Sequence, residues 1–83
     1  PFNPSTHIQI GIPATHSAPV SLKIYNVRGQ LVRTVFAGTK PPRFHEFVWN
    51  GVDDHGVPVA SGVYFANFVS ADTRLTRKMV MLK

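Results

Sequence analysis

Apolar and polar residues alternate along much of this chain with a period of two, the pattern of strands that bury one face. Residues 6–12 open the series, with Ile8, Ile10 and Ile12 on one face and His7, Gln9 and Gly11 on the other. Pro13 closes that run, because proline brings no N–H to a ladder. Residues 20–25 alternate again, Val20, Leu22 and Ile24 inward, Ser21, Lys23 and Tyr25 outward. Asn26-Val27-Arg28-Gly29 reads as a turn, with Gly29 able to take positive φ. A third strand is expected over 31–36, where two phases compete for the inward face, Leu31 with Val35 against Val32 with Phe36. Residues 37–43, holding Gly38, Pro41 and Pro42, read as a loop. A fourth strand over 44–49 turns His45, Phe47 and Trp49 to one side, and 50–56 form a polar turn. Residues 57–59 make a short edge segment, since Pro58 suits an edge. Residues 62–70 form a long apolar strand, 71–73 a turn, and 75–82 the last strand, paired with its predecessor as an antiparallel hairpin.

Helical periodicity is almost absent, and six glycines and seven prolines fall between the short β-rich runs. Six longer strands and one short one predict an all-β fold, an immunoglobulin-like antiparallel β-sandwich of about seven strands. With 83 residues the chain is one domain, residues 1–83. A domain of this size buries only about 60–65% of its unfolded surface. It has no cysteine, so no disulfide supports its core, and thiol chemistry and cysteine zinc sites are excluded. No apolar run approaches the roughly 20 residues of a membrane helix. The chain starts at Pro1 with no signal peptide, and so reads as a piece cut from a longer protein.

Nine Lys and Arg against four Asp and Glu leave a net charge of +5. The cations are scattered, apart from Arg74, Arg77 and Lys78, and no recognition helix carries them. That argues against nucleic acid and for solvated strand faces, with at most a weak attraction to anionic cell-surface polymers. His7, His16, His45 and His55 fall on different faces and loops, so no metal site is expected. Asp53-Asp54-His55-Gly56 lacks the acidic spacing of a calcium loop and reads as a turn whose carboxylates accept backbone N–H bonds. Ser61 has no strand–elbow–helix setting, and Glu46 is the only glutamate, so neither nucleophilic nor paired-carboxylate catalysis is indicated and no cofactor is called for. Sugar binding through exposed aromatics is a rival for a small sandwich, but Trp49 falls on a buried face, leaving Tyr25 and Phe44.

Six blocks in order carry a resemblance. They are Pro1-Phe2-Asn3-Pro4-Ser5-Thr6, the segment Val20-Ser21-Leu22-Lys23-Ile24-Tyr25-Asn26-Val27-Arg28-Gly29, and His45-Glu46-Phe47-Val48-Trp49-Asn50-Gly51. Then come Asp54-His55-Gly56-Val57-Pro58-Val59, Ala60-Ser61-Gly62-Val63-Tyr64-Phe65, and the ending Thr76-Arg77-Lys78-Met79-Val80-Met81-Leu82-Lys83. Together they closely resemble the type A C-terminal sorting domain of the type IX secretion system, and the related immunoglobulin-like domain of the flagellar hook-capping protein. The resemblance implies export and no catalysis. Such domains close secreted proteins of the Bacteroidetes and carry an upstream cargo, often a hydrolase, through the outer-membrane translocon to the surface or medium. A sortase-like peptidase commonly removes them. By position, Lys78, Met79, Val80 and Lys83 match the terminal signal, Gly62, Val63 and Tyr64 match the block beside it, and Asn3, Pro4 and Ser5 match the opening after the cargo. An accessory module of a secreted enzyme, binding carbohydrate or acting as a spacer, is the alternative. Physically, Pro4 stiffens the opening, and a terminal strand offers an edge and a carboxylate that a partner can read by strand addition or carboxylate capture.

Overall fold

A computed structural model describes residues 6–11, 18–40, 44–70 and 73–82. Six strands follow in order, β1 (Thr6–Gly11), β2 (Ala18–Asn26), β3 (Leu31–Lys40), β4 (Phe44–Trp49), β5 (Gly62–Ser70) and β6 (Arg74–Met81). All pairings are antiparallel. β1 and β4 form a two-stranded sheet, and the other four form a sheet ordered β3-β2-β5-β6. The β5–β6 hairpin expected from the sequence is present, with Gly62 opposite Met81 and Val69 opposite Arg74.

The alternation read from the sequence defines the core. Ile8, Ile10, Phe47 and Trp49 from the small sheet meet Val20, Leu22, Ile24, Tyr64, Ala66, Phe68 and Met81 from the large one. Trp49 and Leu22 are 1% exposed and Ile24 is fully buried. Both large polar aromatics find partners, as burial requires. The Trp49 indole N–H donates to the Val52 carbonyl at 2.9 Å. The Tyr64 hydroxyl donates to the Ala60 carbonyl four residues back at 2.7 Å, the arrangement of the tyrosine corner in immunoglobulin-type sandwiches. The two rings pack edge to face with centroids 5.2 Å apart.

Three expectations need correction. The third strand does not end at residue 36 but runs on to Lys40, pairing across to Ala18. Gly38 is part of this ladder, and the Phe36 ring lies over it, so a methyl group at Gly38 would sit 3.1 Å from the ring. An aromatic neighbour thus supplies the cover that glycine lacks. Second, the choice of inward face on β3 has no single answer. The register slips between Leu22 and Lys23 and again between Ile24 and Tyr25, leaving Val35 and Val32 as extra residues on β3. Each bulge shifts the alternation by one. Val32, Val35 and Phe36 therefore all pack against the core, while Leu31 is exposed. Third, residues 57–59 make no strand, only a single bridge between Val52 and Pro58. Pro58 has no N–H to extend a ladder, and the described residues form six strands where about seven were expected. Ile12 and His16 lie outside the described residues, as does the side chain of His45.

The 50–60 loop packs along the start of β3, at one edge of the large sheet. The Asp54 N–H donates to the Val32 carbonyl at 3.0 Å, and its carboxylate accepts the Thr34 N–H at 3.0 Å. The Arg33 guanidinium donates to the Asp53 carbonyl. The loop itself is held by Asp53, whose carboxylate accepts the N–H groups of His55 and Val57 at 2.8 and 3.0 Å. Gly56 completes it at φ +78°, a conformation that favours glycine. So Asp53 acts within its turn as the sequence suggested, whereas Asp54 acts outside it, on β3.

The backbone N–H of Val57, with help from that of His55 and the nearby His55 and Arg33 charges, holds the Asp53 carboxyl below the usual carboxylate range. A carboxyl lowered in the folded state stabilises the fold above its ordinary pKa, and this is lost as pH falls through the lower folded value. The stability advantage of the parent chain over Asp53→Asn, measured by urea unfolding, should be full above about pH 5 and shrink below about pH 4. In the core, Leu22→Ala should cost about 2–5 kcal/mol. Tyr64→Phe should cost about 1 kcal/mol through the lost hydrogen bond.

Candidate functional site

The residues singled out at the end of the chain are separated by more than a dozen positions, and the hairpin brings them together. Val63 pairs with Val80, Tyr64 with Met79 and Phe65 with Lys78. Alternation then splits the group between two faces. Tyr64 is buried and Met79 packs against the core. On the outer face Val63 is half-buried, Lys78 is exposed, and Val80 is 58% exposed. Gly62, opposite Met81, starts β5 at φ +157°. Asn3, Pro4, Ser5 and Lys83 lie outside the described residues.

β6 is the outermost strand of its sheet. Its sequence places Leu75, Arg77, Met79 and Met81 on the core side, opposite Phe68, Ala66, Tyr64 and Gly62. Yet Leu75 is 43% exposed and Arg77 is exposed too, because two strands are too few to cover all four of the sheet they face. Arg74, Thr76, Lys78 and Val80 occupy the other side and are exposed. Arg74, Arg77 and Lys78 meet no carboxylate among the described residues, where the single ion pair joins His7 and Glu46 at 3.3 Å. Sequence reading singled out Lys78 here. It missed Arg77 as a cation on the core side of an edge strand, although the alternation of Leu75, Arg77 and Met79 carried that signal.

The sandwich also has a concavity of about 450 Å³ at its loop end, lined by residues that include Asn26, Gln30, Asp53, Asp54 and His55. Its polar side chains serve the backbone. Asn26 accepts the N–H groups of Arg28 and Gln30, and Asp53 and Asp54 hold the loop and β3. No three His, Cys, Asp or Glu residues among the described ones converge as metal ligands would.

Comparison with known proteins agrees with this geometry. Neither the curated proteins nor the solved structures gave a match. Residues 2–73 match the FlgD Ig-like domain, which takes in β1 to β5 and stops short of β6. Spanning most of the chain, and joined to an all-β antiparallel sandwich with a tyrosine corner, that match establishes that the chain belongs to the FlgD Ig-like domain family.

Proposed function

We propose that this domain is a non-catalytic sorting module, directing an upstream cargo through type IX secretion to the cell surface or medium. The cargo is a hydrolase, as the resemblance to such domains implies, and a sortase-like peptidase removes the module. The observation that carries this reading is the pairing of Gly62-Val63-Tyr64 with Lys78-Met79-Val80 on an uncovered edge hairpin. Two blocks that resemble the sorting signal thus lie side by side in one hairpin, with Lys78 and Val80 on its outer face open to a partner. A rigid sandwich beneath them presents that surface whatever cargo precedes it.

The carbohydrate-binding alternative draws less support. A sugar platform needs an exposed aromatic face, and Trp49 is 1% and Tyr64 7% exposed. Tyr25 is half-buried, and the side chain of Phe44 lies outside the described residues.

The test is a fluorescent reporter with a signal peptide, fused to residues 1–83 in a host that carries type IX secretion. The full fusion should reach the surface or medium, and a fusion ending at Ala71 should stay in the periplasm. Because that truncation also removes a core strand, a double variant Lys78→Glu, Val80→Lys is the sharper arm. Both side chains are exposed, so the variant should fold normally and still lose export. Export of the truncation, or periplasmic retention of the intact fusion, overturns the reading.

A further inference from the structure

We propose that the outer edge of β6 takes up an acidic, extended peptide segment of a partner protein by strand addition. The two edges of the large sheet are treated differently. At β3 the start of the edge, from Val32 to Thr34, is covered by the chain's own Asp53-Asp54 segment, through one backbone and one carboxylate hydrogen bond while Arg33 reaches back to it. At β6 no described strand or loop pairs along the eight residues of the strand, so its outward N–H and C=O groups have no backbone partner among the described residues. The same strand carries Arg74, Arg77 and Lys78, exposed on both faces and without a carboxylate among the described residues. Exposed Leu75 lies between Arg74 and Arg77, and exposed Val80 lies two positions beyond Lys78. An incoming strand that alternates acidic and apolar residues would meet all three kinds of group, with backbone bonds for affinity and charge for register.

A second copy of this chain is the poorer occupant. Two β6 edges laid side by side set Arg and Lys against Arg and Lys, and like charges across a pair are destabilising. The edge is therefore guarded against itself and open to an acidic partner. This docking mode deepens the sorting reading and rests on it for who supplies the peptide.

The test uses the 83-residue domain and three eight-residue peptides capped at both ends, of alternating Glu and Val, alternating Lys and Val, and alternating Glu and Pro. The Glu-Val peptide should bind, protect the outward amides of β6 from hydrogen exchange and weaken as salt rises. The Lys-Val peptide should not bind, and the Glu-Pro peptide, which cannot supply a ladder of N–H groups, should bind at least roughly tenfold more weakly. A triple variant Arg74→Glu, Arg77→Glu, Lys78→Glu, checked for folding by circular dichroism, should lose about tenfold or more in affinity for the Glu-Val peptide. Equal binding of the two acidic peptides, or of dextran sulfate with no amide protection, marks a general polyanion surface and overturns strand addition. So does protection of amides elsewhere than β6. Peptide binding without export of the reporter removes the secretion role and leaves the docking edge standing. Export without peptide binding removes the docking edge alone.

Discussion

One layer of apolar side chains, trapped between a four-stranded and a two-stranded sheet, holds this domain together. The chain has no disulfide and few residues, so the layer has little help. Trp49 is its keystone. Its ring meets Tyr64 across the gap between the sheets, and its N–H is satisfied by the loop that leaves β4. Tyr64 in turn ties its hydroxyl to Ala60, just ahead of β5. Two buried aromatics thus fix both ends of the 50–60 loop, each by one hydrogen bond that would be costly to leave unmade in the interior.

That anchoring has consequences for the sheet edges. A loop tied down at Val52 and Ala60 delivers Asp53 and Asp54 to β3, where they cover the start of an edge, at Val32 to Thr34, that would otherwise be a template for pairing. Among the described residues the opposite edge receives no such cover. A sandwich of four strands over two has surface to spare on its larger sheet, and the shortage falls on β6, where Leu75 and Arg77 sit on the core side yet meet water. The features that support a sorting role and a docking edge, namely exposure, positive charge and an unpaired ladder, follow from this mismatch between the sheets.

Belonging to the FlgD Ig-like domain family accounts for the sandwich, and the family match ends before β6 begins. Function is argued from that last strand and its pairing, since a fold of this kind hosts many roles and the site must carry the claim. The concavity at the loop end makes the contrast plain. It is far larger than the recess beside Leu75 and Arg77, but its carboxylates and amide already hold backbone groups. The edge has its hydrogen-bonding capacity still to give.

The amino-acid sequence by itself determined the strands with unbroken alternation. Ile8 and Ile10, Val20 to Ile24, Phe47 and Trp49 took the faces that period two assigns them, because neighbouring side chains of a strand must point opposite ways. It also determined the Asn26–Gly29 turn and the β5–β6 hairpin, whose signals lie within a few residues of each other. β3 was illegible in detail, since its bulges arise from pairing with β2 and no local pattern encodes two changes of phase. Only the tertiary structure decided that Gly38 lies in a strand under Phe36, that Pro58 makes a bridge and no strand, and that Asp54 serves β3. It alone decided, too, that Lys78 and Val80 stand opposite Phe65 and Val63 on an open edge. Each of these depends on which strand lies beside which, and that is set by how much apolar surface two unequal sheets can bury between them.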